Sequence, residues 1–189
     1  MDHAKALSGW QNFYVIVGSA AGALTALQFV VITLIAQARA ARSMRDVHAF
    51  GTPTVVHFCT ALLLSALMTA PWRTLDLLAA TLAAFGFLGI LYFARVLWHA
   101  RATEYRPDLG DWFWYVAFPF ASHVGLLVSA ALFFWNLAYA TALLAADTLF
   151  VLLVGVHNAW DSVTYIAVHR HRPNPASSAD SGATDERQN

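Results

Sequence analysis

The sequence predicts an all-α integral membrane protein, a polytopic bundle of five transmembrane helices. Of its 189 residues, 59% are hydrophobic and only 12% are charged, which is about half the charged share of an ordinary soluble domain. Several apolar stretches continue for about 20 residues, enough to cross the hydrocarbon core of a bilayer. They lack the alternation of barrel strands. Since only helices and closed barrels satisfy the backbone in lipid, these stretches are predicted to be helices.

The predicted chain consists of a polar arm, one transmembrane domain and a tail. The arm covers residues 1–11, and its Trp10 is a candidate interface anchor. The domain covers residues 12–172, and the tail (173–189) lacks an apolar pattern and is expected to be disordered. The first apolar run is too long for a cleavable signal peptide. The five predicted spans are residues 12–37, 54–70, 75–98, 112–135 and 139–169.

Proline and threonine residues suggest how some of these spans begin and bend. The sequence Gly51-Thr-Pro53 is predicted to separate a basic segment from the second span, because proline suits an early helical position. Thr74 is predicted to cap the third span. Pro119 lies inside the fourth span, where it should kink the helix.

The arginines predict an orientation. With five spans, Lys5 and Arg73 are the only lysine and arginine residues predicted on one side of the membrane. The positive-inside rule then places the N-terminus outside and the C-terminus in the cytoplasm of a cell membrane. A four-span count would spoil this division. The other side holds Arg39, Arg42, Arg45, Arg101, Arg106, Arg170 and Arg172.

Composition and motifs exclude several functional classes. The formal net charge is zero, which argues against a polybasic nucleic-acid surface. Cys59 is the single cysteine, so an intrachain disulfide is impossible. Phosphate-binding loops, dinucleotide fingerprints and serine nucleophile elbows do not occur. Enzymatic activity is left open but not favoured, and no cofactor is predicted by the leading interpretation.

Two ionisable residues are predicted to lie near the membrane midplane. At 1.5 Å per residue, His123 is about 16 Å into the fourth span and Asp147 is about 12 Å into the fifth. The fourth and fifth spans form a tight hairpin, so we expect this acid and this imidazole to face each other. The alternative is a static buried hydrogen bond from Asp147 to a serine or threonine.

A second polar level is predicted toward the cytoplasm. It contains His57 of the second span, Tyr115 of the fourth, and three residues late in the fifth: His157, Asn158 and Asp161. His157 and Asp161 are four residues apart and share a helical face. The alternative is that these groups meet water at the headgroups.

Three functions fit this pattern. The favoured one is an oligomeric channel or transporter for protons or small cations, because acids and imidazoles at successive depths mark such paths. The second is ligation, with a divalent metal at His57, His157 and Asp161, or haem b held by His57 and His157. The third is an accessory subunit of a larger membrane complex. The predicted path comprises His123, Asp147, His157, Asn158, Asp161 and Tyr115.

A small-residue pattern in the first span is a candidate helix contact. Gly18, Gly22 and Ala26 recur every four residues and allow two backbones to approach closely. The contact is either with a helix of the same chain or with a second copy. The expected partners are therefore the lipid bilayer and either further copies of this chain or the other subunits of a complex.

Overall fold

The computed structural model describes residues 7–38, 44–100 and 109–169. The predicted disordered tail and the first six residues of the predicted arm lie outside these ranges. So do most of the arginines on which the predicted orientation depends.

The described residues form helices and no strands, which confirms the predicted all-α class. Helix α1 is Gln11–Ala38, α2 is Met44–Thr69, α3 is Leu75–Ala100 and α5 is Leu137–His169. The fourth helix, α4, has three consecutive parts, which are an α-helical turn, a π-helical segment and an α-helix. These parts are Leu109–Trp112, Phe113–Ala117 and Phe118–Leu132.

Four stretches are long and apolar enough to cross a membrane. They belong to α1, α3, α4 and α5, and their length and composition indicate a membrane protein. The apolar part of α2, Thr54–Thr69, is shorter than the other four. The four stretches are Gln11–Thr33, Leu75–Arg95, Phe113–Leu132 and Leu137–Thr164.

Helix α2 begins earlier than the sequence predicted. Its backbone is helical from Met44, so Gly51 and Pro53 lie inside the helix and do not separate it from the preceding segment. The prediction treated glycine and proline as chain breakers, as they are in water. Membrane helices accommodate both, because neighbouring groups satisfy the backbone that they free.

Polar side chains cap the starts of α3 and α5, at the end of the bundle where α2 ends. The Thr74 hydroxyl accepts a hydrogen bond from the Leu77 amide at 3.3 Å, as predicted for the start of α3. The Asn136 side chain accepts one from the Tyr139 amide at 3.2 Å. Asn136 therefore caps α5, which begins two residues before the predicted start of the fifth span.

The π-helical segment lies just before Pro119 of α4. The Phe118 amide bonds to the Phe113 carbonyl, one residue further back than in an α-helix. Proline has no amide hydrogen and its ring crowds the preceding turn. The helix accommodates this by widening before Pro119, and π-helical turns of this kind often occur at functional sites.

Helix α5 is the centre of the bundle. It packs against α2 on one side and α4 on the other, while α1 packs on α2 and also touches α5, and α3 packs on α4. Of the most apolar window in each candidate span, 44% is buried in α5, against 22% in α1. Polar groups that must be hidden from lipid are therefore best placed on α5.

Two apolar clusters of different size form the core. The outer cluster lies toward the end of the bundle where α5 begins, and Leu126 and Leu144 belong to it. The inner cluster is small and consists of Ala21, Ala61 and Val151. The outer cluster also contains Tyr14, Leu64, Met68, Leu78, Ala79, Leu82, Ala130, Phe133, Ala140 and Ala145.

Candidate functional site

Asp147 is the one buried acidic or basic side chain (Asp, Glu, Lys or Arg) in the described part of the chain, and only 7% of it is exposed. It projects from α5 toward α4, where the Ser122 hydroxyl lies close enough to interact with its carboxyl group. A Cβ added at Gly125 would lie 3.2 Å from Asp147 Oδ1, so this glycine makes room for the carboxyl. The second carboxyl oxygen, Oδ2, is buried and has no hydrogen-bond partner among the described residues.

Tyr14 of α1 completes what we call the central layer, defined as Tyr14, Ser122, Asp147 and Thr148. The Tyr14 hydroxyl lies beside the Thr148 side chain and close enough to Asp147 to interact electrostatically. The Thr148 hydroxyl donates to the Leu144 carbonyl at 2.7 Å. The Tyr14 hydroxyl is buried and forms no hydrogen bond of normal geometry with any residue that the structure describes. Three helices therefore direct polar groups to one point.

The central layer is closed along the helix axis by apolar side chains. Leu144 and Ala145 of the outer cluster are one turn or less from Asp147 on one side. On the other side, Val151 is packed with Ala21 and Ala61. The carboxyl group is thus occluded from both ends of the bundle in this conformation.

His123 is not paired with Asp147, contrary to the expectation from their depths. Its Nδ1–H donates to the carbonyl of Pro119 at 2.7 Å. Its ring lies against α3, where it fills the space left by Gly89 and packs 5.3 Å from the ring of Phe93. Ser122, the neighbour of His123 in sequence, faces Asp147 instead, because adjacent residues of a helix point about 100° apart.

A second set of polar groups, the inner layer, lies toward the end of α5. We define it as Thr54, His57, Trp114, His157 and Asn158. The rings of Trp114 and His157 are stacked with centroids 3.6 Å apart and planes 6° apart. Trp114 belongs to the π-helical segment, so this local geometry of α4 positions the ring that covers His157. His157 Nδ1 is buried without a hydrogen-bond partner in the described chain.

Asn158 is the most thoroughly buried member of the inner layer, with 0% of its surface exposed. Neither its amide nitrogen nor its amide oxygen has a hydrogen-bond partner in the described ranges. Asn158 is eleven residues after Asp147, close to three helical turns, so the two side chains share one face of α5 about 16 Å apart.

Helix α2 is antiparallel to α5 and brings Thr54 level with Asn158. The register follows from two contacts, because Gly155 lies against His57 and Phe58, and Val151 lies against Ala61. Continuing the same register by one turn aligns Thr54 with Asn158. Both side chains are fully buried. Ser162, one turn further along α5, is also buried and donates to the Asn158 carbonyl at 2.8 Å.

The alternative set of metal ligands does not assemble. Among the described residues, no group of three acidic, histidine or cysteine side chains could hold a metal ion. Asp161 is exposed, whereas His57 is buried. The two predicted haem ligands are also apart. His57 of α2 lies against Gly155 of α5, whereas the ring of His157 stacks on Trp114 of α4. Positions 155 and 157 point about 160° apart on a helix, so the two imidazoles lie on different sides of α5.

The other predicted site residues belong to α4 and α1. Tyr115 is half-buried in the π-helical segment, next to Trp114. Gly18 faces α2, where an added Cβ would lie 2.9 Å from Ser65 Cβ, and Gly22 lies near Leu62 of the same helix. Ala26 is exposed. The two glycines therefore form a contact within the chain.

Sequence reasoning did not identify Tyr14, Ser122, Thr148, Trp114 and Thr54 as site residues. Serine, threonine and tyrosine are common in membrane helices, and nothing in the sequence distinguishes Trp114 from the other aromatic residues near the ends of the spans. One signal was present, since a single intramembrane acid needs a polar neighbour at its own depth. Ser122 satisfies that criterion as well as His123 does.

Comparisons with known protein families, with curated proteins and with solved structures gave no match for this chain.

Proposed function

We propose that this protein carries protons or small cations across a membrane, with Asp147 as the group that binds them. The observation that carries the proposal is a lone acidic side chain, 7% exposed, with one oxygen lacking a partner in the described structure. Placing an ionisable group at membrane depth is costly, by about 3 kcal/mol on translocon scales, so such residues commonly serve transport.

The proposed topology has five spans, with the N-terminus outside and the C-terminus in the cytoplasm of a cell membrane. Support comes from the position of α2, which packs along α5 from the inner layer to the outer cluster and is as long as α3. The distribution of arginines in the sequence favours this orientation. In this topology the inner layer faces the cytoplasm.

The proposed path follows one face of α5, from Asp147 to Asn158 and His157. Tyr14 and Ser122 contribute polar contacts near Asp147, and Tyr115 lies at the level of His157. His123 and Asp161 are left out, because one faces α3 and the other is exposed. Since apolar clusters close Asp147 from both ends, the protein must change conformation to load and release an ion, as carriers do.

The proposed partners are lipids and further copies of this chain. Such copies must meet on a surface other than the one formed by Gly18 and Gly22, which pack on α2. An accessory role in a larger complex is the second candidate. Support for it is limited to the large apolar side chains, such as Phe29 and Trp160, that face outward.

The test is flux through purified protein in lipid vesicles, measured with a pH-sensitive dye and with a cation-sensitive dye. Asp147→Asn keeps the shape of the side chain but removes its charge and its capacity to bind a proton. We expect its flux to fall to that of protein-free vesicles. The matched control is Asp161→Asn, on the same helix but exposed, and we expect wild-type flux.

Two results would contradict the proposal. Equal flux in wild type and Asp147→Asn would remove this carboxyl from the path. No flux from wild type, together with purification as part of a larger complex, would favour the accessory role.

A further inference from the structure

We infer that the Asn158 amide binds water inside the bundle, in a polar chamber between α2, α4 and α5 that the inner apolar cluster separates from Asp147. Assigning this chamber to the cytoplasmic side depends on the proposed topology. The water site itself does not depend on transport.

The Asn158 side-chain amide lacks hydrogen-bond partners for both its donor and its acceptor in the described structure. The Asn158 side chain is 0% exposed, and both its nitrogen and its oxygen are without partners in the described structure. The large majority of buried side-chain polar atoms in proteins are hydrogen-bonded to protein or to ordered water. The unpaired amide nitrogen and amide oxygen of Asn158 therefore call for a ligand that both donates and accepts hydrogen bonds.

The surroundings favour water over a cation. Thr54 is level with Asn158, and the Ser162 hydroxyl lies one turn away with its own hydrogen committed to the Asn158 carbonyl. These are neutral groups with both donors and acceptors. A buried cation calls for an anionic ligand set, and the described residues contain no acidic or histidine cluster able to hold a metal ion. Water needs two to four polar partners, which this chamber offers.

The boundary of the chamber is apolar. Val151 and Val154 occupy the same face of α5 between Asp147 and Asn158, and both are buried. Val151 packs with Ala21 and Ala61. Asp147 and Asn158 are about 16 Å apart along α5, and the apolar side chains between them keep the two polar sites from sharing one column of water.

The test is radiolytic hydroxyl labelling of the intact protein, in which bound water generates radicals that oxidise adjacent side chains. His57 is 5% exposed and belongs to the inner layer, whereas Phe133 is 7% exposed and belongs to the outer cluster. Solvent exposure alone predicts similar, low labelling of both. Bound water near Asn158 predicts that His57 is labelled several times faster than Phe133, after correction for intrinsic reactivity.

The variant that isolates the amide is Asn158→Leu, with Leu153→Asn as a control for general changes in labelling. We expect Asn158→Leu to reduce labelling of His57 to the level of Phe133, and to leave Phe133 unchanged. Slow labelling of His57 in wild type would overturn the inference, as would unchanged labelling in a folded Asn158→Leu protein. Should that variant not fold, the wild-type comparison of the two residues decides alone.

The result is separable from the flux experiment. Labelling without flux would leave the water site standing and contradict the proposed function. Flux without labelling would contradict the water site alone.

Discussion

The central and inner layers lie on the same face of α5, yet they are polar in different ways. Asp147 has a protein partner in Ser122 and a glycine, Gly125, that makes room for it. Asn158 is more deeply buried and has no side-chain partner in the described structure. The glycine nearest the inner layer, Gly155, makes room for the ring of Phe58 and the Cβ of His57. One layer is therefore built around a polar contact and the other around close packing of helices.

This difference suggests that the two layers depend on different interactions. The central layer should respond most to loss of its polar contact, because the group packed against Gly125 is a carboxyl that can rotate. The inner layer should respond most to added volume, because its helices approach each other at a glycine. Substitutions at matched positions can test the comparison.

The largest effect on stability is expected at Gly155. A Cβ there would lie 2.7 Å from Phe58 Cε1 and 3.2 Å from His57 Cβ, whereas one at Gly125 would meet Asp147 Oδ1 at 3.2 Å. Phe58 is 1% exposed and has little room to move, while a carboxyl can rotate. We expect Gly155→Ala to lower the free energy of unfolding by about 1–3 kcal/mol, and Gly125→Ala by less.

Equilibrium unfolding in mixed micelles measures both losses. Gly22→Ala is the control, since its Cβ would lie 3.9 Å from Leu62 Cδ1, an ordinary contact. A larger loss at Gly125 than at Gly155 would reverse the comparison.

The second effect concerns the partner of Asp147. Ser122→Ala removes the hydroxyl that interacts with the carboxyl group and leaves that buried group without this polar neighbour. We expect a loss of about 1–2 kcal/mol in the same unfolding measurement. In an Asp147→Leu background the same substitution should cost much less, because no carboxyl remains to be satisfied. Equal losses in both backgrounds would mean that Ser122 does not act through Asp147.

The smallest effect is expected from the stacked rings of the inner layer. Trp114 and His157 lie 3.6 Å apart and nearly parallel, an arrangement worth about 0.5–1.5 kcal/mol beyond its buried area. A double-mutant cycle with Trp114→Leu and His157→Leu should give a coupling energy in that range. A coupling energy near zero would show that the two rings are neighbours without mutual stabilisation.

The helices could be predicted because length and apolarity are local properties. The start of α3 was predicted from Thr74, a polar residue that accepts a hydrogen bond from a free amide. The cap of α5 by Asn136 was not predicted, and the helix begins two residues before the predicted span. The expected separation at residues 51–53 was wrong, since the helix continues through Pro53 from Met44. The π-helical segment before Pro119 was not foreseen, because a proline in a helix can be accommodated by a kink or by a wider turn.

The site could be predicted only in part, and the pairing of Asp147 shows why. Counting residues along a helix gives the expected depth of each side chain, and Asp147, predicted to lie deep, is buried in the bundle. Ser122 and His123 have nearly the same depth, so counting alone favours neither as its partner. The choice depends on the direction of each side chain around the helix and on which helix lies there.

The sequence by itself determined that this is an all-helical membrane protein with a lone acid deep in its last helix, because apolar length and the cost of a buried charge are properties of the chain alone. The tertiary structure decided that α5 lies between α2 and α4, that Asp147 meets Ser122 and that His123 meets Gly89. The reason is that neighbours in a bundle depend on how several helices pack together, and the spacing of residues along one helix does not contain that information.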